Sequence, residues 1–269
     1  MREMGVTPEI KNEPAGFGSE FQPVEFSDIR DRMIRTIESQ DHDFTGFRLR
    51  GQEVTRLESF SDAVFGFALT LLVVSLDIPK SFDDLVNTMR GFPAFAICFL
   101  LLALIWNTHY KFCRRYGLDD GTARFLTCIM LFLVLFYVYP LKFLFNLSIT
   151  GLLFGAGPPV SMTLSQLSVL LMIYGLGFAA VYLAMTLLYL HAWRLRDTLQ
   201  LNDLEKFDTR YLMFRLLTLS AFGVIAAGLA QIAAIRDWSA FVYLLVFPIL
   251  RISRIIHRQR RAKFLPATS

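Results

Sequence analysis

The sequence predicts an all-α, polytopic membrane protein with six transmembrane helices per chain. Two observations carry that fold class. The 269 residues are 54% hydrophobic and only 19% charged, with a mean hydropathy of +0.46, less charge than a soluble domain of this size carries. Six apolar runs recur near 58–78, 92–112, 123–146, 164–190, 212–235 and 239–256. Each is too long for a strand and near the length of about 20 residues that a helix needs to cross about 30 Å of hydrocarbon. A helix also satisfies its own backbone in lipid.

The elements follow in order. Residues 1–50 form a polar extension with seven Lys/Arg and ten Asp/Glu. Its start, with Pro14, Gly16, Gly18 and Pro23, reads as loose chain. From Ser27 two readings stand: an amphipathic helix capped by Ser27 or Asp28, with Ile29, Met33, Ile34 and Ile37 on one face, or a solvated arm. The extension offers no cleavable leader, so the first span is expected to act as the insertion signal. Pro79 ends that span, and Gly91 and Pro93 open the second, a first turn being where proline is tolerated. Gly155, Gly157, Pro158 and Pro159 mark the loop between the third and fourth spans. Asp237 and Trp238 turn the chain between the last two. Residues 51–256 then form one membrane domain, and 257–269 a basic tail.

Orientation follows from Lys/Arg in the short connections. One side holds fifteen, among them Arg114, Arg115, Arg194, Arg210, Arg254 and Arg261, and the other holds Lys80, Arg90, Lys142 and Arg236. Both termini are expected on the cytoplasmic side of a multi-pass membrane protein, in the cell membrane if the source is bacterial. The cations after Phe247 suit anionic lipid headgroups at that face. They flank membrane helices, so no nucleic-acid partner is read into them.

Little points to catalysis or a cofactor. Cys98, Cys113 and Cys128 have no C-x-x-C spacing and read as small buried apolar residues. His42, His109, His191 and His257 form no paired-ligand motif. His191 has no acidic or cysteine neighbour in sequence to make a catalytic set. No metal, cofactor or enzymatic function is expected.

The most informative segment is 56–78. Arg56, Phe60, Ser61 and Asp62 form R-x-x-x-F-S-D at the mouth of the first span, where polar residues are costly and mark a functional site by default. Phe26-Ser27-Asp28 repeats the triplet, but Gln22 stands in place of the arginine and no apolar run follows. At 100° per residue, Phe60, Ala63, Thr70, Leu71, Val74 and Ile78 fall within about 60° of Phe67, while Ser61 and Asp62 lie on other faces. The helix thus has one apolar stripe with a single hydroxyl in it, and a separate polar patch.

The R-x-x-x-F-S-D opening resembles the transmembrane protein 175 family, the lysosomal potassium channels and their bacterial relatives. The six spans, cytoplasmic termini and a second span ending in Ile105-Trp106-Asn107-Thr108-His109 fit the same family. The resemblance implies a potassium-permeable, potassium-selective leak channel, with protons as a second permeant candidate. It implies a pore lined by the first helix of each subunit of a homotetramer. One pore helix per chain cannot enclose a pore, and closed rotational symmetry is the usual remedy. Carried over by position, the hydrophobic constriction is Phe67, Leu71 and Val74, with Thr70 at the place linked to potassium selectivity. Phe67 departs from the family pattern, which has isoleucine there. No T-V-G-Y-G loop is present, which excludes the carbonyl-filter design. Asp77 at the outer end is either a solvated interfacial acid or, repeated around a pore, a means of concentrating cations.

Depth matching adds to the family pattern. The second span runs antiparallel to the first, so Trp106, Asn107 and His109 reach the level of Asp62, whose buried carboxylate needs donors. A network of Arg56, Ser61, Asp62, Trp106, Asn107 and His109 is expected to pin the pore helix, with a proton relay as the alternative. Two other functions stay open. An ion-coupled secondary transporter would show internal repeats and broken helices near the midplane, and none is evident. A non-conducting membrane scaffold would assemble without flux.

Overall fold

The computed structural model describes residues 43, 45–74, 80–154, 163–232 and 242–262. Several expectations fall outside them: the helix or arm from Ser27, the repeated Phe26-Ser27-Asp28, Asp77, Pro79, the loop of Gly155 to Pro159, the Asp237-Trp238 turn and the tail beyond 262. The described helices belong to one unit, Asp41–Ser269. Seven helices and no strand form among the described residues. Four of the helices are long and apolar enough to cross a membrane.

Helix α1, Arg56–Val74, starts where the Thr55 hydroxyl accepts the Glu58 N–H at 3.1 Å. Its buried face is Leu57, Ser61, Phe65, Ala68 and Leu72, a spacing of three and four that fits one helical stripe. That face packs on α3, Phe92–Tyr116, and α4, Gly121–Phe154. Between α1 and α3 lies a short helix not anticipated from hydropathy, α2, Phe82–Arg90. The Ser81 side chain caps it, Asp83 and Asp84 occupy its first turn and Arg90 its last, each where the helix dipole favours that charge.

Helix α3 stops at Gly117, whose φ is +60° and whose N–H bonds the Cys113 carbonyl at 2.9 Å. A side chain there is doubly excluded, because a Cβ would also lie 3.0 Å from the Arg50 backbone. Helix α4 spans 34 residues with Pro140 inside.

Helices α5, Leu164–Arg194, and α6, Asp203–Leu229, form the tightest pair. Capping boxes open both: Thr163 with Gln166, and Asn202 with Glu205. A Cβ on Gly175 would sit 2.6 Å from the Gly223 carbonyl oxygen. Glycine at both positions therefore lets the two backbones approach, the small-residue packing that holds helices together in lipid. The Ser220 hydroxyl adds a bond to the Ala179 carbonyl at 2.9 Å.

Helix α7, Val242–Arg261, packs on α6 and contains Pro248. It continues past the expected end at 256 and carries the first basic residues of the tail on a helix. Two residue-level expectations change. Cys98 and Cys113 are buried, but Cys128 is exposed, because it lies on the outward face of α4. His191 gains an acid, Asp120, at 3.0 Å from Nε2, because the α3–α4 turn folds over the end of α5.

Candidate functional site

The polar foot of α1 meets α3 through one hydrogen bond. The Trp106 indole Nε1–H donates to Asp62 Oδ1 at 2.7 Å, and Trp106 stacks on Tyr110 at 5.7 Å. The indole has no other polar function, and Asp62 is exposed rather than buried as expected. The other expected members bond elsewhere. Ser61 is fully buried and donates to the Leu57 carbonyl of its own helix at 2.7 Å. His109 is also buried, with Nε2 3.4 Å from the Thr127 hydroxyl and the Phe65 and Phe112 rings around it. Arg56 is exposed and Asn107 half-buried, and the structure joins neither to Asp62.

The apolar stripe of α1 looks away from the rest of the chain. Phe67 is 68% exposed, Leu71 56% and Phe60 54%, and Ala63, Gly66 and Thr70 are exposed with them. Val74 ends the helix, and its side chain lies outside the described residues. The Thr70 hydroxyl donates to the Gly66 carbonyl at 2.9 Å. That bond uses its proton and leaves oxygen lone pairs facing outward. A face with aromatic, hydroxyl and aliphatic groups at successive turns can present both an apolar ring and a ring of acceptors to whatever lies opposite. A second, smaller outward patch comes from Val73.

A further set of residues, not anticipated from sequence, ties the segment before α1 to the helix ends. Phe47 is fully buried beneath the Arg115 guanidinium, 4.7 Å from its ring centre, and against Tyr116 at 5.6 Å. Glu205, 1% exposed, accepts from Arg50 Nη2 at 2.7 Å and Nη1 at 3.1 Å, and from the Arg48 and Asn202 backbone N–H groups. Arg115 pairs with Asp43 at 2.7 Å. Burial works against ionisation of Asp43, but the Thr45 hydroxyl, the Arg115 charge and the Phe47 N–H outweigh it and hold the carboxyl below its ordinary range. The Tyr116 hydroxyl lies 2.7 Å from that of Thr209. The Asn202-x-x-Glu205 spacing is a capping-box signature that could have marked Glu205. No such signature marks Arg50 as its partner.

No group of His, Cys, Asp and Glu able to hold a metal occurs among the described residues.

The arrangement defines a helical, multi-pass membrane protein whose first helix turns an apolar, hydroxyl-bearing face outward. Comparison with known proteins makes this specific. Residues 56–138 match the family model described as the endosomal/lysosomal potassium channel TMEM175. A protein of Marivirga tractuosa named potassium channel is 38% identical over 234 residues, covering 80% of this chain and 92% of its own. A potassium channel of Streptomyces collinus is 28% identical over 94 residues, 33% of this chain and 46% of its own. Among solved structures, a crystal structure of a variant of the potassium channel MtTMEM175, bound to a nanobody fusion, superposes with a TM-score of 0.72. It is 36% identical and covers 81% of this chain and 99% of that one.

The chain belongs to the TMEM175 family. That family consists of channels, so the chain is not an enzyme.

Proposed function

We propose that the chain is a potassium-permeable channel, built as a homotetramer around the exposed stripe of α1. The observation that carries this is the outward face of Phe67, Thr70 and Leu71 within the segment that matches the family model. Four copies around a closed axis turn four such faces toward one another. Phe67, Leu71 and Val74 form the hydrophobic constriction, and an apolar ring gates by dewetting. Thr70 supplies the ring of oxygen acceptors that favours potassium. Protons are a second permeant candidate.

The membrane arrangement supports the same reading. Helices α1 and α3 to α7 serve as six spans within a channel domain of 51–256, with both termini cytoplasmic by the excess of basic residues on that side. The pairing of Asp62 and Trp106 acts as the anchor that holds the pore helix against α3, with Arg56, Phe60, Ser61, Asn107 and His109 around it. Asp62→Ala, which removes the acceptor of the Trp106 indole N–H, separates an anchor from a proton relay. An anchor predicts lost assembly or expression, measured by size-exclusion chromatography. Normal tetramers with altered pH dependence of flux would instead establish a relay.

Purified protein in liposomes with a potassium gradient tests the channel reading. Potassium is expected to flow down its gradient with no coupled ion. A requirement for a coupled ion would identify a transporter, and inserted tetramers without flux would identify a scaffold.

A further inference from the structure

A groove of about 620 Å³ lies along α6 and α7, away from the α1 stripe. Its two ends differ in chemistry. The helices run antiparallel here: His257 stacks on Phe207 at 4.9 Å and on Tyr211 at 3.9 Å, while Asp208 pairs with Arg261 at 3.0 Å. This register places Arg210 and Arg260 at one end, and Phe214, Ile249 and Ile252 toward the other. Arg261 has an acidic partner. Arg210 and Arg260 are exposed and have none among the described residues. Arg210 rests 5.8 Å from the Trp193 ring, a contact that leaves its charge unneutralised. The Tyr211 hydroxyl, on the groove wall, is shut off from solvent and has no hydrogen-bond partner among the described residues.

Two uncompensated cations at one end of an apolar trough complement one ligand class: an anion carrying hydrocarbon chains. Basic pockets between membrane helices at the cytoplasmic face are where such headgroups bind. We propose that this groove is a specific site for an anionic phospholipid. Arg210 and Arg260 hold the phosphate-bearing headgroup, and Phe214, Ile249 and Ile252 receive the acyl chains. The proposal rests on the orientation given above, which puts the arginine end at the cytoplasmic headgroup level. It does not depend on ion conduction. A free phosphate would use the arginines and leave the apolar wall bare, so the lipid is the occupant.

The test is native mass spectrometry of the full-length protein in detergent, with phosphatidylglycerol or phosphatidylcholine of identical chains added at equal concentration. Phosphatidylglycerol adducts are expected to exceed phosphatidylcholine adducts. Arg210→Ala with Arg260→Ala is expected to lower phosphatidylglycerol retention by roughly tenfold or more, since each cation near an anionic lipid contributes about a factor of five. Ile252→Trp, which fills the trough and keeps both charges, is expected to lower retention as well. Arg124→Ala, on α4, is expected to leave it unchanged. Inorganic phosphate in millimolar excess is expected not to displace the lipid. Equal retention of the two lipids, unchanged retention in the double variant and in Ile252→Trp, or displacement by phosphate would each overturn the proposal. Failure to bind any lipid because a second copy covers the groove would also overturn it. Potassium flux is read separately in liposomes, so loss of the lipid site and loss of the channel reading are distinguishable.

Discussion

Glu205→Ala is expected to destabilise the protein by about 3–5 kcal/mol, the cost of leaving one partner of a buried ion pair uncompensated. The carboxylate is 1% exposed and receives both terminal nitrogens of Arg50. It also receives the Arg48 N–H at 2.9 Å and the Asn202 N–H at 3.0 Å. Alanine would strand the guanidinium and two backbone donors together and open the capping box of α6. Against a total of about 5–15 kcal/mol for a folded domain, this is a large share. The melting temperature in detergent, followed by intrinsic fluorescence, is expected to fall by about 10 °C. Arg50→Met with Glu205→Leu is expected to lose less, because both charges leave together. A single Glu205→Ala variant melting within about 2 °C of the parent would show that the pair does not hold the segment before α1 to α6.

Leu71→Ser is expected to raise potassium flux by roughly tenfold or more, as a barrier lowered by about 1.4 kcal/mol does. Leu71 is 56% exposed on the outward face, so around a closed axis four leucines would become four hydroxyls. A constriction that excludes water by being apolar then wets. Potassium-over-sodium selectivity is expected to fall along with it. Leu72 is the control one position away. It is 1% exposed and faces the core, so Leu72→Ser is expected to cost stability in the range of about 2–5 kcal/mol for a truncated core leucine without raising flux per folded channel. Liposome flux assays with both variants check the contrast. Unchanged flux in Leu71→Ser would remove Leu71 from the constriction.

Hydropathy made most of the helices legible. The runs at 92–112, 123–146 and 164–190 each fall within a helix, Phe92–Tyr116, Gly121–Phe154 and Leu164–Arg194, and the run at 212–235 overlaps Asp203–Leu229, because lipid demands the same apolar length wherever a span occurs. Helix periodicity separated the α1 stripe from the polar patch of Ser61 and Asp62, while the buried face of Phe65, Ala68 and Leu72 came from the structure. A polar, nine-residue helix such as α2 has no such signature, and its caps stand out only once the chain is folded. The segment before α1 was harder still. Phe47 belongs to no apolar run, and its burial depends on partners far along the chain: Arg50 meets Glu205 across a separation of 155 residues, and Asp43 meets Arg115 across 72. His191 and Asp120 came together across 71 in the same way. The polar foot of α1 was partly readable. Depth matching together with the family pattern placed Trp106 opposite Asp62, but rotation about each helix axis decides which neighbours connect, and Ser61 and His109 have other partners.

The outward stripe of α1 is proposed to line the ion path. Cysteine accessibility tests it most directly. In a Cys128→Ser background, which removes the exposed native thiol, cysteine replaces Phe67, Thr70 or Leu71 on the stripe and Phe65, Ala68 or Leu72 on the opposite face. Potassium flux from liposomes is then measured before and after a charged, water-soluble thiol reagent. Block at Phe67→Cys, Thr70→Cys and Leu71→Cys, with flux untouched at the other three, is the result predicted. Full flux after verified modification of the stripe cysteines, or block confined to the opposite face, would contradict it.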